Sequence, residues 1–100
     1  MARMRYEIDL AQQAVDDFQR LSARDRSTIR DALERHLRHE PGKESRSSIK
    51  RLRGIVRPQY RLRVGEFRVF YDVLEESVEI LAIVAKAQAD EWLSDIGGRP

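Results

Sequence analysis

Tyr60–Tyr71, YRLRVGEFRVFY, is the most informative stretch of the chain. Tyr60, Leu62 and Val64 alternate with Arg61 and Arg63; after Gly65-Glu66 the apolar alternation resumes at Phe67, Val69 and Tyr71, with Arg68 among them. Two period-two runs around a two-residue loop with glycine first predict a β-hairpin closed by a type II′ turn, whose twist matches the flanking strands. The implied register sets Val64 against Phe67, Arg63 against Arg68, Leu62 against Val69 and Arg61 against Phe70. Arg61, Arg63 and Arg68 then share one face. Like charges directly opposite cost up to about 1 kcal/mol relative to neutral pairs. The face therefore reads either as an anion-binding surface or as the solvated outside of a half-buried sheet, with arginine used for its stem and solubility.

Upstream of the hairpin, Arg5–Leu10 alternates as a short strand, and Leu10, Ala14, Phe18 and Leu21 recur at helical spacing, which predicts an amphipathic helix over Ala11–Leu21. Ser22 and Asp25 are spaced as a capping box for a second helix carrying Ile29, Ala32, Leu33, His36 and Leu37 on one face, ended by Pro41-Gly42. The two helices are expected to form an antiparallel hairpin. Gly42–Ser48 is a polar loop, and Ile49–Gly54 reads as a short strand or an extended approach to the hairpin. Downstream, Val78–Lys86 is apolar nearly throughout, as in a strand buried on both faces and central in its sheet. Gln88–Ile96 reads as a short helix stopped by Gly97-Gly98. The expected fold is α+β, in the order β-α-α-β-β-β-α, a curved antiparallel sheet packed on a helical hairpin with a short C-terminal helix, forming one domain over residues 1–100.

Charge is unevenly distributed although the net is only +2. From Gly42 to Phe70, Lys43, Arg46, Lys50, Arg51, Arg53, Arg57, Arg61, Arg63 and Arg68 stand against Glu44 and Glu66, a net of +7, whereas Tyr71–Pro100 carries −5. Such a basic block suits a nucleic acid or an acidic protein better than a small neutral substrate. With no cysteine there is no disulfide framework and no thiolate zinc site. His36 and His39 have a metal-compatible spacing but no evident third ligand, so no metal and no cofactor is expected. Residues Met1–Asp9 do not resemble a signal peptide, and the longest apolar run, Ile80–Ala85, is too short to span a bilayer. A cytoplasmic protein is expected.

The element order, together with the runs LRG, YRLRVGEFRVFYDV and VEILAIVAK, resembles the RelE/ParE toxin superfamily of type II toxin–antitoxin systems. The resemblance covers nearly the whole chain, and it implies a toxin neutralised by a cognate antitoxin. It also implies one of two activities: cutting messenger RNA on the ribosome, or inhibiting DNA gyrase. Arg61, Arg63 and Arg68 match the catalytic basic positions of the ribosome-dependent nucleases. The expected function is thus a ribosome-dependent mRNA endoribonuclease, with gyrase inhibition or a nontoxic binding module as alternatives. Where such nucleases often carry an Arg or His after the last strand and a Tyr in the terminal helix, this chain has Lys86-Ala87-Gln88 and Trp92.

Cleaving RNA through its 2′-hydroxyl requires a base, charge stabilisation at phosphorus and an acid for the leaving oxygen. Arginine stabilises charge but holds its proton. Lys50, Lys86, Glu66 and Tyr71 are the other groups considered, Tyr71 reading better as core. Lys50, Arg51, Arg53 and Lys86 are the expected RNA-binding cations, while Leu81, Ile83 and Trp92 are expected to line an antitoxin groove opened by displacement of the C-terminal helix. As exposed side chains, Arg61, Arg63 and Arg68 are all expected to be dispensable for stability.

Overall fold

The computed structural model of the chain describes residues 5–96. In chain order its elements are β1 (Glu7–Leu10), α1 (Gln12–Arg20), α2 (Ala23–Leu37), β2 (Ile49–Arg51), β3 (Tyr60–Val64), β4 (Phe67–Val73), β5 (Ser77–Ala85), a 3₁₀ turn (Lys86–Gln88) and α3 (Ala89–Ile96). The hairpin β3–β4 has the register read from the alternation, from Tyr60 opposite Tyr71 to Val64 opposite Phe67. Its turn places Gly65 at φ 55°, and no non-glycine residue has positive φ among those described, as a type II′ loop with glycine first requires.

The five strands form one sheet in the order β1-β5-β4-β3-β2. The α+β architecture agrees with the sequence, with two refinements. Ile49–Arg51 is a strand, pairing antiparallel with β3, and β1 joins the sheet parallel to β5, so the sheet is mixed. The most interior strand is β4, five of whose seven residues are buried, rather than β5. Beyond Ile80, β5 runs past the end of β1, and α1 takes over that edge. There Ala11 N–H donates to Ile80 O (2.9 Å) and the Asp17 carboxylate accepts from Ile83 N–H (2.9 Å), satisfying backbone donors that an open edge would leave unpaired.

On β5, Leu81 is an extra residue: Phe70 faces Ala82 while Tyr71 faces Ile80, a β-bulge. It reverses the side-chain alternation, so Ile80 and Ile83 both point to the helical face although they are three apart. That face carries the core. Leu62, Val69, Tyr71, Val78 and Ile80 are fully buried there with Ala14, Ile29 and Leu37 of the helices. The α2 face matches the helical spacing, and Ser22 Oγ accepts from Asp25 N–H at 3.1 Å as the capping box requires, a contact whose removal costs about 1 kcal/mol. Truncating Leu33 or Ile29 would cost about 2–5 kcal/mol, since both are buried in this cluster. Gly97-Gly98, read as a helix stop, lies outside the described residues. No helix among the described residues is long and apolar enough to cross a membrane.

Candidate functional site

Among the described residues the opposite face of the sheet is covered by no helix except α3, and it divides into two ends. Alternation sends Lys50, Arg61 and Phe70 to this face in one row, because Lys50 lies opposite Arg61 and Arg61 opposite Phe70. The next row holds Arg63 opposite Arg68. Lys50, Arg61, Arg63 and Arg68 are therefore neighbours on three adjacent strands, and among the described residues no carboxylate forms a salt bridge with them.

The four cations are held differently. Arg68 is only 7% exposed, and its Nη1 donates to Gly65 O (2.9 Å) and Phe67 O (2.8 Å), carbonyls of its own hairpin turn. This fold-back relieves the cross-strand repulsion against Arg63 by drawing the Arg68 charge onto backbone dipoles. It also corrects the expectation that all three arginines are exposed and dispensable, because Arg68 clamps the turn. Arg63 is exposed, with its backbone N–H fixed to Ser48 O at 2.9 Å. Arg61 is half-buried, and its Nε is shut off from solvent with no hydrogen-bond acceptor. Burial, then the charges of Arg68 and Arg63, hold its pKa below the usual guanidinium value. The sheet gains no hydrogen bond from that buried donor, so its presence is a cost to folding.

Lys50 is exposed on a strand pinned from both sides. Ser45 Oγ accepts from Ile49 N–H (3.2 Å), Ser45 N–H donates to Ile49 O (2.9 Å), and the Glu44 carboxylate accepts from Arg51 N–H (2.8 Å). Beside the cations, Trp92 of α3 stacks on Phe70 at 4.8 Å between centroids and 16° between planes. Trp92 Nε1 donates to Gln13 Oε1 (3.2 Å), tying α3 to α1.

At the other end of the face the charges are matched. Arg57 donates through Nε to Asp72 (2.6 Å) and through Nη2 to Glu79 (2.7 Å), and Asp72 also accepts from Gln59 N–H (2.8 Å). The bond to Asp72, above all, raises the Arg57 pKa. Arg57 belongs to the basic block of the sequence but is committed to the fold. Asp72 was the available signal: an acid that breaks the apolar run of residues 69–73, on the same alternation as Phe70, needs a cationic partner once buried.

The remaining candidates separate. Arg51 lies with Tyr60, not with Arg61; its guanidinium sits 5.1 Å from the Tyr60 ring and Nη1 donates to the Tyr60 hydroxyl (3.2 Å). Arg53 is exposed in the loop after β2. Lys86 is exposed beyond β5, its N–H donating to Glu66 O (2.7 Å) at the hairpin tip. Tyr71 is on the helical face, fully buried, donating to Pro41 O (2.7 Å), and burial raises its pKa, so it serves the core. His36 borders the core, with its pKa lowered by burial and then by Arg35, and His39 is exposed. Leu81 and Trp92 line an open groove with Gln13, Arg57 and Ile96. Ile83 does not join them. It is 4% exposed against Val69 in the core, because the bulge at Leu81 turns it inward.

The sequence model described as "ParE toxin of type II toxin-antitoxin system, parDE" matches residues 8–89. Among solved structures, the archaeal RelE–RelB complex from Pyrococcus horikoshii contains a chain 26% identical, with TM-score 0.63, covering 85% of this chain and 99% of that one. A mutant of the Escherichia coli toxin RelE in the free state is 24% identical, TM-score 0.66, covering 91% and 93%. A chain of the RelBE2 toxin–antitoxin complex from Mycobacterium tuberculosis is 23% identical, TM-score 0.64, covering 82% and 99%. No curated protein matches significantly by sequence.

Proposed function

Because the chain belongs to the ParE toxin family of type II toxin–antitoxin systems, we propose that it blocks translation as a cytoplasmic, ribosome-dependent mRNA endoribonuclease held in check by a cognate antitoxin. The observation that carries this reading is the unmatched cluster of Lys50, Arg61, Arg63 and Arg68, with the Phe70–Trp92 stack at its margin. Guanidinium groups fit phosphate bidentately and stabilise the charge that develops on it as the 2′-oxygen attacks. Arg61 Nε is buried with no acceptor inside the fold, which leaves that donor and its charge for a ligand. The antitoxin partner is supported by the solved RelE–RelB complexes, in which relatives of this fold sit with theirs. In a translating extract, purified protein should produce codon-positioned breaks in messenger RNA by primer extension; intact messages at saturating protein would overturn the reading.

A second reading, gyrase inhibition, is favoured by two observations: the matching family model is that of ParE, and the residues after Ala85 are Lys86-Ala87-Gln88 with Trp92 as the aromatic of α3. Inhibition of supercoiling by purified gyrase, with translation unaffected, would select it.

A further inference from the structure

We infer that Lys50 is the general acid of the cleavage reaction, donating its ammonium proton to the leaving 5′-oxygen, an assignment that rests on the nuclease reading above. The argument starts from a deficit. Three of the four clustered cations are arginines, which stabilise a phosphorane but hold their protons too tightly to hand one over. The groups of the chain that exchange protons more readily are elsewhere. Tyr71 is buried on the helical face, His36 borders the core at the far side of the sheet, and Asp72 and Glu79 are bound to Arg57.

Lys50 combines a transferable proton with a place directly opposite Arg61, whereas Lys86 and Glu66 meet at the hairpin tip, beyond the row of Arg63 and Arg68. Lys50 is exposed and carried by a strand whose neighbours Ile49 and Arg51 are fixed by Ser45 and Glu44. The pinned strand fixes the Lys50 backbone opposite Arg61, so its side chain starts beside the guanidinium that would hold the phosphate, and such proximity is what makes an acid effective. The departing alkoxide is far more basic than an amine, so proton transfer to it is downhill. The step balances. The 2′-oxygen bonds to phosphorus as the bond from phosphorus to the 5′-oxygen breaks. Water takes the 2′-hydroxyl proton, the 5′-oxygen takes the Lys50 proton, and solvent reprotonates the amine. The products are a 2′,3′-cyclic phosphate and a 5′-hydroxyl.

The test is single-turnover cleavage on programmed ribosomes with Lys50→Ala and Lys50→Arg, each checked for an unchanged thermal melt. Both should be slower by about 100-fold or more, because Arg restores charge but not proton transfer. A message carrying sulfur in place of the 5′-oxygen at the mapped cut site has a leaving group that departs without a proton. On it both variants should recover to within roughly tenfold of the unsubstituted protein. Wild-type rate in Lys50→Arg, an undiminished deficit on the sulfur-containing message, or sulfur rescue of Lys86→Ala instead would each overturn the assignment while leaving the nuclease reading intact. If the unsubstituted protein cuts nothing, the nuclease reading fails and this assignment fails with it.

Discussion

The two ends of the open sheet face use the same residue type for opposite purposes. Arg57 meets Asp72 and Glu79 and is consumed by them, whereas Arg61, a few residues on in sequence, meets no carboxylate and leaves its Nε buried without an acceptor. Charge counted along the sequence treats the two alike. What separates them is the partner across the sheet: acids opposite one another on β4 and β5 at one end, cations on β2, β3 and β4 at the other. A charge already neutralised within the fold contributes to stability, and one left unneutralised is available to a ligand.

The contrast can be broken most severely by activity. Arg61→Ala should lower message cleavage by about 100-fold or more, as removal of a group stabilising transition-state charge does, with little loss of thermal stability; Arg57→Ala should keep the cleavage rate and lose stability instead. If cleavage kinetics rank the two the other way, the ends have been assigned backwards. Next in size is Asp72→Ala. Removing this buried carboxylate takes one of Arg57's two acceptors and leaves the Gln59 N–H unpaired, and urea denaturation should show a loss of about 2–3 kcal/mol.

Within the cationic end, Arg68→Ala should cost about 1–2 kcal/mol through the two lost turn hydrogen bonds. Arg63→Ala should be neutral or stabilising by a few tenths of a kcal/mol, because it removes a like charge from the cross-strand pair. Equal melting temperatures for these two variants would refute the clamp. The smallest effect lies off the face altogether. His36 has a lowered folded-state pKa, so the unfolded chain takes up its proton first as pH falls below about 6.5. Stability should therefore fall as pH drops from about 6.5 toward the lowered folded-state value. Denaturation of His36→Gln should lack this component.

Much of this molecule is legible in its sequence because local rules and tertiary context agree there. The hairpin register follows from period two and a glycine-first loop, and α2 follows from its Ser22 cap and the spacing of Ile29, Leu33 and Leu37. The parallel placement of β1 is not legible, since four alternating residues do not say which neighbour they will find. Nor is the bulge. Strict alternation puts Leu81 and Ile83 on one face, and only pairing with β4 reveals that Leu81 is supernumerary and Ile83 belongs to the core. The shared face of Arg61, Arg63 and Arg68 was readable from alternation. The division of labour among them was not, because it depends on where each guanidinium finds an acceptor.

That bulge also gives β5 one residue of evolutionary slack. Shortening the strand at Leu81 would bring Ile80 and Ala82 into regular pairing with Tyr71 and Phe70 and leave every other side chain on its present face. Shortening it at Ile83 would turn the remainder of the strand over, presenting Val84 to the core and Ala85 to the open face. Two losses of equal length, two positions apart, thus differ from a trimmed groove wall to an inverted strand. A one-residue loss at Leu81 would be tolerated, and one at Ile83 would not.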